Sequence, residues 1–161
     1  MIEFKAPENI DTLMHYGWDK YIIFLGGSIE MGVAEEWQKK VVAAFKEYSD
    51  NVVLLNPRRN DWDSSWKQIK SNKKFREQVE WELTGLEIAD AIFMYFDPAT
   101  KSPISLLEFG LHNDSRLHVV CPTGFYRKGN VDIVCERYDI KQYRSLNSGI
   151  KGLKESIRSR S

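Results

Sequence analysis

Four short apolar runs, each followed by a polar or amphipathic stretch, restrict the fold of this chain more than any other feature. The runs are Tyr21–Leu25, Val52–Leu55, Ala91–Phe96 and Leu117–Cys121. Parallel strands that are buried on both faces have this composition, and Ile133–Cys135 is a candidate for a fifth, shorter strand. The pattern predicts a single α/β domain over residues 1–161. We expect a mainly parallel, twisted sheet of about five strands flanked by helices, in a Rossmann or flavodoxin-like arrangement.

Helical periodicity between the runs predicts the crossover segments. These are Ala34–Tyr48, Lys73–Ile88, a helix from Pro103 to about Asn113, and a helix in roughly the last twenty residues. Ser102 is expected to cap the third helix and Pro103 to occupy its first position, since both residue types are favoured there. The polar segment from Arg58 to Asn72 is expected to be a loop with at most a short helix.

Composition argues against several classes of function. The 161 residues carry 23 basic and 23 acidic side chains, so no net charge draws the chain to nucleic acid polymers or to anionic membranes. Because the N-terminus lacks the features of a signal peptide and no run spans a membrane, we expect a cytoplasmic protein with Cys121 and Cys135 as core thiols. The histidines lack metal-ligand spacing, and we expect neither a metal nor a cofactor.

The turns that follow the predicted strands are the expected place for a ligand. In parallel α/β sheets, ligands bind beyond the carboxyl ends of the strands. Those ends hold Gly26-Gly27-Ser28, Asn56–Arg59, Asp97-Pro98 and Pro122–Gly124. The glycine turn matches neither a Walker loop nor a dinucleotide fingerprint. Its Ser28 either contacts a sugar hydroxyl or a phosphate, or belongs to an ordinary helix-capping turn.

The loop after the second strand combines charges with aromatic rings. In Asn56–Asp63, Arg58 or Arg59 is suited to a phosphate and Asp61 to an exocyclic amine, while Trp62 or Trp66 offers a ring for stacking on a base. The alternative is a solvated loop whose opposite charges pair with one another. We favour recognition, because tryptophan is an unusual choice for a loop that only faces water.

Two glutamates fall on the predicted inward faces of helices. Glu82 lies on or beside an apolar stripe of the helix Lys73–Ile88, formed by Phe75, Val79, Leu83 and Leu86. Glu108 lies beside a second stripe, formed by Ile104, Leu107 and Leu111. Either glutamate alone is equally well explained as a helix-edge residue or as a satisfied core ion pair. A pair of inward carboxylates on helices flanking one strand indicates chemistry, and such a pair can cleave a bond at an anomeric carbon.

With these residues in place, the chain resembles the nucleoside 2-deoxyribosyltransferase family, in its deoxyribosyltransferase-like branch. The resemblance covers roughly residues 21–138. It is carried by Ile23–Ser28, Leu55–Asp63, Gln78–Leu83, Ala89–Ala91, Ser102–Gly110 and Gly129–Val131.

The resemblance implies roles for several residues. It assigns Glu108 as the nucleophile that attacks the anomeric carbon, with Glu82 as the second catalytic carboxyl. It also implies that Asn130, expected in a loop after the fourth strand, enters a neighbouring subunit, and hence a homo-oligomer with shared active sites. Family enzymes that exchange free nucleosides commonly carry Tyr and Asp where this chain has Phe24 and Ser102. We assign both to the substrate site, with Gly26, Gly27, Ser28, Asn56, Arg58, Arg59, Asp61 and Trp62.

Three functions remain open at this point. The first is a 2′-deoxynucleoside deoxyribosyltransferase of nucleotide salvage, working through a covalent deoxyribosyl–Glu108 intermediate. The second is a deoxynucleoside 5′-monophosphate N-glycohydrolase, because Gly-Ser-Ile also occurs in relatives that hold phosphate with serine and backbone amides. The third is a non-catalytic nucleotide-binding module, against which the presence of both glutamates argues.

Overall fold

The strands of this protein form one parallel sheet in a computed structural model, which describes residues 1–13, 20–30, 33–48 and 51–159. The sheet order is β1-β3-β2-β4-β5-β6, and every neighbouring pair is parallel. The strands are β1 Ile2–Lys5, β2 Tyr21–Gly27, β3 Val52–Asn56, β4 Ala91–Tyr95, β5 Leu117–Val120 and β6 Lys141–Tyr143. This confirms the predicted parallel α/β sheet, with six strands instead of about five.

Within the described ranges, five helices connect or follow these strands. They are α1 Trp37–Phe45, α2 Lys73–Ile88, α3 Pro103–Leu111, α4 Lys128–Arg137 and α5 Leu146–Arg158. The second helix has the predicted bounds, because Asn72 caps it by accepting a hydrogen bond from the amide of Phe75 at 3.2 Å. The segment between β3 and α2 is a loop, as predicted.

Three predicted elements differ from those observed. Ile133–Cys135 is not a strand but part of α4, where Val131 and Cys135, one turn apart, face the core while Ile133 is 66% exposed. The first and third helices are shorter than predicted, since α1 spans Trp37–Phe45 and α3 ends at Leu111. Ser102 has φ 48° and its hydroxyl bonds Ser28 and Thr100, so it does not act as the expected side-chain cap.

The helices cover the two faces of the sheet as two layers. Helices α2, α3 and α4 pack on one face, through residues such as Trp81, Phe109 and Val131. Helices α1 and α5 pack on the other face, through Trp37 and Leu153. Both layers contain buried apolar clusters, which accounts for the continuous apolar composition of the central strands.

The order in which strands are added to the sheet reverses between β2 and β4. From β2 the chain first adds β3 on one side and then β4 on the other, which leaves a crevice at the carboxyl ends of β2 and β4. Gly27 lies there with φ 122°, and a Cβ built on it would come within 2.2 Å of the Tyr95 carbonyl oxygen. Only glycine fits this approach, so the crevice begins with backbone packed closely on backbone.

The part of the chain that the structure describes contains no helix with both the length and the apolar character needed to cross a bilayer.

Candidate active site

Helix α3 brings Glu108 to the inside of the protein. Glu108 is only 8% exposed, and Ser105 and Phe109 of the same helix are also buried. The predicted apolar stripe is wrong, because Ile104, Leu107 and Leu111 are 58 to 60% exposed. The helix is oriented instead by Phe109, whose ring packs edge-on against Phe96 of the core at 5.9 Å.

Helix α2 supplies the second carboxyl through Gln78, which the sequence did not single out. The Gln78 amide nitrogen donates to the Pro57 carbonyl at 2.9 Å and to Glu82 Oε1 at 2.7 Å. Gln78 therefore connects Glu82, one turn further along α2, to Pro57 at the end of β3. The predicted stripe is displaced here as well, since the buried residues of α2 are Gln78, Trp81, Gly85 and Leu86.

The two carboxyls affect each other's ionisation. Burial raises the pKa of Glu108 to about 8, and the negative charge of Glu82 adds to that rise. Burial also raises the pKa of Glu82 to about 7, against the opposing hydrogen bond from Gln78. As an interacting pair, they titrate together near neutral pH. A carboxyl pair that carries about one proton at neutrality can supply both a nucleophile and an acid.

Three hydroxyls form a buried cluster where β2 ends and α3 begins. Ser28 Oγ lies 2.9 Å from Thr100 Oγ1 and 2.6 Å from Ser102 Oγ, and the last two are 2.7 Å apart. Ser28 Oγ also accepts a hydrogen bond from the Asp97 amide at 2.8 Å. The cluster thus joins the glycine turn, through Gly26 and Gly27, to the helix that carries Glu108. Thr100 was not predicted, since only the fold brings it to Ser28.

The loop after β3 is held by an ion pair. Arg59 donates to both carboxylate oxygens of Asp61 at 2.9 Å and to Glu77 at 3.2 Å, and its guanidinium lies over the Trp66 ring at 5.3 Å. Arg59 and Asp61 are therefore paired with each other, which is the alternative that the sequence left open. Trp62 remains partly exposed and packs on Trp66 with ring centroids 5.1 Å apart.

Arg58 and Asn56 lie nearer to α1. Arg58 donates to Gln38 Oε1 at 3.3 Å, and Asn56 donates to Glu3 at 2.9 Å while accepting from the Arg58 amide at 3.1 Å. These residues line a groove of about 260 Å³ beside α1. The loop thus divides its basic side chains, with Arg58 directed toward α1 and Arg59 toward α2.

Two predicted substrate contacts occupy other positions. Phe24 is 1% exposed and packs in the core, where α2 approaches so closely that a Cβ on Gly85 would lie 2.7 Å from the Phe24 ring. Asn130 is not in a loop: it is exposed in the first turn of α4. The position of Asn130 differs from the prediction because Val131, the next residue, packs in the core as part of α4. That packing favours helix over the turn that the Gly129-Asn130 sequence would otherwise favour.

No group of acidic, histidine and cysteine side chains with the arrangement of a metal site occurs among the described residues. Cys121 and Cys135 are buried, and burial raises the pKa of the Cys121 thiol to about 11. Both cysteines are therefore core thiols rather than reactive groups at neutral pH.

A comparison with protein families identifies one that this chain matches. Residues 20–125 match a family described as nucleoside 2-deoxyribosyltransferase like. The matched span includes Glu82, Glu108 and the hydroxyl cluster, and it ends before Asn130. A comparison with curated proteins gives no match. Because the match covers about two thirds of the chain, from the start of β2 past the end of β5, this protein belongs to the nucleoside 2-deoxyribosyltransferase-like family.

Proposed function

We propose that this protein transfers the 2-deoxyribosyl group of a 2′-deoxynucleoside to another nucleobase, in nucleotide salvage, through a covalent intermediate on Glu108. The observation that carries the proposal is the pair of interacting, inward carboxyls on α2 and α3, whose pKa values lie near neutral pH. Helix α2 follows β3 and helix α3 follows β4, so both helices begin at the edge of the sheet where parallel sheets bind ligands. The family match supports the substrate class.

In the first step, a carboxylate oxygen of Glu108 attacks the anomeric carbon. A C–O ester bond forms as the C–N glycosidic bond breaks, and the electron pair of that bond passes to the base nitrogen. This step uses the form of the pair in which Glu108 is ionised and Glu82 is protonated, which is the less populated form because the pKa of Glu108 is the higher of the two. Glu82 then gives its proton to the leaving base. Negative charge beside the oxocarbenium-like centre stabilises the transition state, and the dry surroundings of Glu108 strengthen that effect.

The second step reverses the first with a different base. A nitrogen of the incoming base attacks the anomeric carbon, the ester bond to Glu108 breaks, and the proton of that nitrogen passes to Glu82. The sugar keeps its configuration, because each step inverts the carbon once. Gln78 keeps Glu82 in position for both proton transfers, through its bond at 2.7 Å.

We assign base binding to the loop from Arg58 to Trp66. Trp62 and Trp66 are both partly exposed, but Arg59 and Lys74 lie over the Trp66 ring, so we assign the stacking contact to Trp62. Arg59 holds the loop through Asp61 and Glu77 instead of contacting substrate. This positioning role replaces the direct contacts that the sequence suggested for Arg59 and Asp61.

We also propose that the protein works as a homo-oligomer. Helix α3, which carries Glu108, exposes Ile104, Leu107 and Leu111 in one stripe, and α4 exposes Asn130 and Ile133. Apolar stripes of this kind are typical of subunit interfaces. A second copy of this chain is the expected occupant, because the family resemblance implies that Asn130 enters a neighbour's pocket.

The test is an incubation of the protein with a 2′-deoxynucleoside and a different free base, followed by analysis of the nucleosides formed. We expect the wild type to produce the exchanged nucleoside. Glu108→Ala should lose activity by a factor of about a thousand or more, as is usual when a covalent step is removed. With a slowly released 2-fluoro sugar analogue, the wild type should gain the mass of one sugar on the peptide that contains Glu108.

The matched control is Glu80→Ala, which removes an exposed glutamate of α2 that pairs with Arg76 at the surface. Its activity should equal that of the wild type. Retention of more than about a tenth of the activity by Glu108→Ala would contradict the assignment. Release of free base from a deoxynucleoside 5′-monophosphate alone, without exchange, would favour the N-glycohydrolase instead.

A further inference from the structure

The start of helix α3 has the elements of an anion site. Ser28, Thr100 and Ser102 place three hydroxyls there, and the backbone amides of Lys101 and Ser102 precede the first turn of the helix. Amides at the start of a helix commonly bind phosphate. The next residue, Pro103, has no amide hydrogen, so the two amides immediately before the helix are those of Lys101 and Ser102.

A side chain of the protein already occupies these amides. Glu30 Oε1 accepts hydrogen bonds from the Lys101 amide at 2.9 Å and from the Ser102 amide at 2.8 Å. Glu30 follows the glycine turn of β2 by three residues, so the same crevice supplies both the carboxylate and the amides. The second oxygen, Oε2, has no hydrogen-bond partner among the described residues.

The spacing along α3 relates Glu108 to this carboxylate. Six residues separate Ser102 from Glu108, which is about 9 Å along a helix axis. Helical side chains lean toward the N-terminus, so the Glu108 carboxyl extends back toward Ser102. A deoxyribose whose anomeric carbon lies at Glu108 can therefore place its 5′ end near Glu30 and the hydroxyl cluster.

We propose that Glu30 determines the substrate class at the 5′ end of the sugar, so that the protein accepts 2′-deoxynucleosides and excludes their 5′-monophosphates. This inference rests on the proposed function. The Glu30 carboxylate occupies the amides that a 5′-phosphate needs, and its charge repels that phosphate. A free 5′-hydroxyl, in contrast, can donate a hydrogen bond to Glu30 Oε2.

The experiment compares a 2′-deoxynucleoside with its own 5′-monophosphate, in the presence of the same acceptor base. For the wild type, we expect kcat/KM for the nucleoside to exceed that for the monophosphate by a factor of about a hundred or more. Glu30→Gln keeps an oxygen for the two amides but removes the charge, and Glu30→Ala also frees the amides. We expect both variants to reduce the ratio to about ten or less, with the larger change in Glu30→Ala.

Glu36→Gln is the matched control, because it neutralises a nearby exposed glutamate whose partner is Lys39 on the surface of α1. It should leave the ratio unchanged. Equal use of both substrates by the wild type, or an unchanged ratio in Glu30→Ala, would overturn the assignment of Glu30 while leaving the transferase proposal in place. Absence of turnover with both substrates would contradict the transferase proposal.

A binding measurement decides the role of Glu30 independently of turnover. Calorimetry with inorganic phosphate should show no binding to the wild type and measurable binding to Glu30→Ala, where the two amides become available. If Glu30→Ala does not gain phosphate binding over the wild type, the amides are not an anion site and the proposal is wrong.

Discussion

Glu108 is a carboxyl whose ionised form is disfavoured by its surroundings. Burial and the charge of Glu82 raise its pKa to about 8, whereas a carboxyl of an unfolded chain titrates near about 4. The folded protein therefore binds this proton more tightly than the unfolded chain does. It follows that the stability contributed by protonated Glu108 is fully present below the unfolded pKa. That contribution is lost as the pH rises from about 4 to about 8.

Replacing Glu108 with glutamine should make stability less dependent on pH. We expect Glu108→Gln to gain free energy of unfolding relative to the wild type between pH 5 and pH 9, by an amount on the order of a few kcal/mol. Urea denaturation at both pH values measures this difference. Glu80→Gln, at an exposed position, is the control and should show no such gain. A difference between Glu108→Gln and the wild type that stays constant with pH would contradict the buried environment of Glu108.

The interaction between the two carboxyls is also testable directly. The negative charge of Glu82 raises the pKa of Glu108, so Glu82→Gln should lower the pKa of Glu108. Carboxyl titration followed by NMR measures the midpoint in each protein. Glu87→Gln, on the exposed side of the same helix, should leave it unchanged. An unaltered Glu108 midpoint in Glu82→Gln would show that the two groups do not act as a pair.

At the level of elements, the central strands and α2 could be predicted from the sequence because each is specified by a local residue pattern. Fully apolar runs define β2 to β5, and Asn72 marks the start of α2 by its own hydrogen bond. Strands β1 and β6 were not predicted. They are edge strands of four and three residues: β1 alternates apolar and charged side chains and β6 has two polar residues of three, so neither forms a continuous apolar run, and both pair with a neighbouring strand, β3 or β5.

The sequence predicted that Glu82 and Glu108 point inward. That prediction rested on apolar stripes of α2 and α3 that are not the buried faces of these helices in the structure. The exposed stripe of α3 is as apolar as a core stripe, and periodicity alone does not distinguish a core from a protein interface. Gln78, Thr100 and Glu30 were not predicted as site residues. The last two act through contacts with segments about seventy residues away, which only the sheet order brings together.

The loop between β3 and α2 yields a prediction about base binding. Removing the partly exposed ring in Trp62→Ala should raise KM for the nucleoside by a factor of about ten, consistent with the loss of about 1–3 kcal/mol of stacking. The value of kcat should change little, since Trp62 lies outside the carboxyl pair. Steady-state kinetics with several bases measures both constants, with the exposed Lys70→Ala of the same loop as control. An unchanged KM for every base would mean that Trp62 only packs on Trp66.

At the scale of the whole molecule, the surface of α3 and α4 is unusual for a chain that works alone. Its residues Ile104, Leu107, Leu111 and Ile133 are all more than half exposed. The helix that exposes this stripe also carries Glu108 beside it, four residues after Ile104 and three before Leu111. An interface formed there would therefore place a neighbouring subunit close to each active site.

The arrangement predicts that two inactive variants can restore activity to each other. Glu108→Ala lacks the nucleophile, and Asn130→Ala lacks the side chain that we expect to enter the neighbour's pocket. In a mixed oligomer, one pocket can receive Glu108 from one chain and Asn130 from the other. Mixing the purified variants under conditions that allow subunit exchange should therefore recover a measurable fraction of the wild-type activity, and sedimentation should show at least a dimer. The control mixture combines the Glu108→Ala chain with a second chain that carries both Leu107→Glu and Asn130→Ala. This mixture should recover no activity, because the charge at position 107 disrupts the apolar interface. If exchanged subunits show no recovery, or if the fully active wild type sediments as a monomer, each site is complete within one chain and Asn130 is a surface residue of α4.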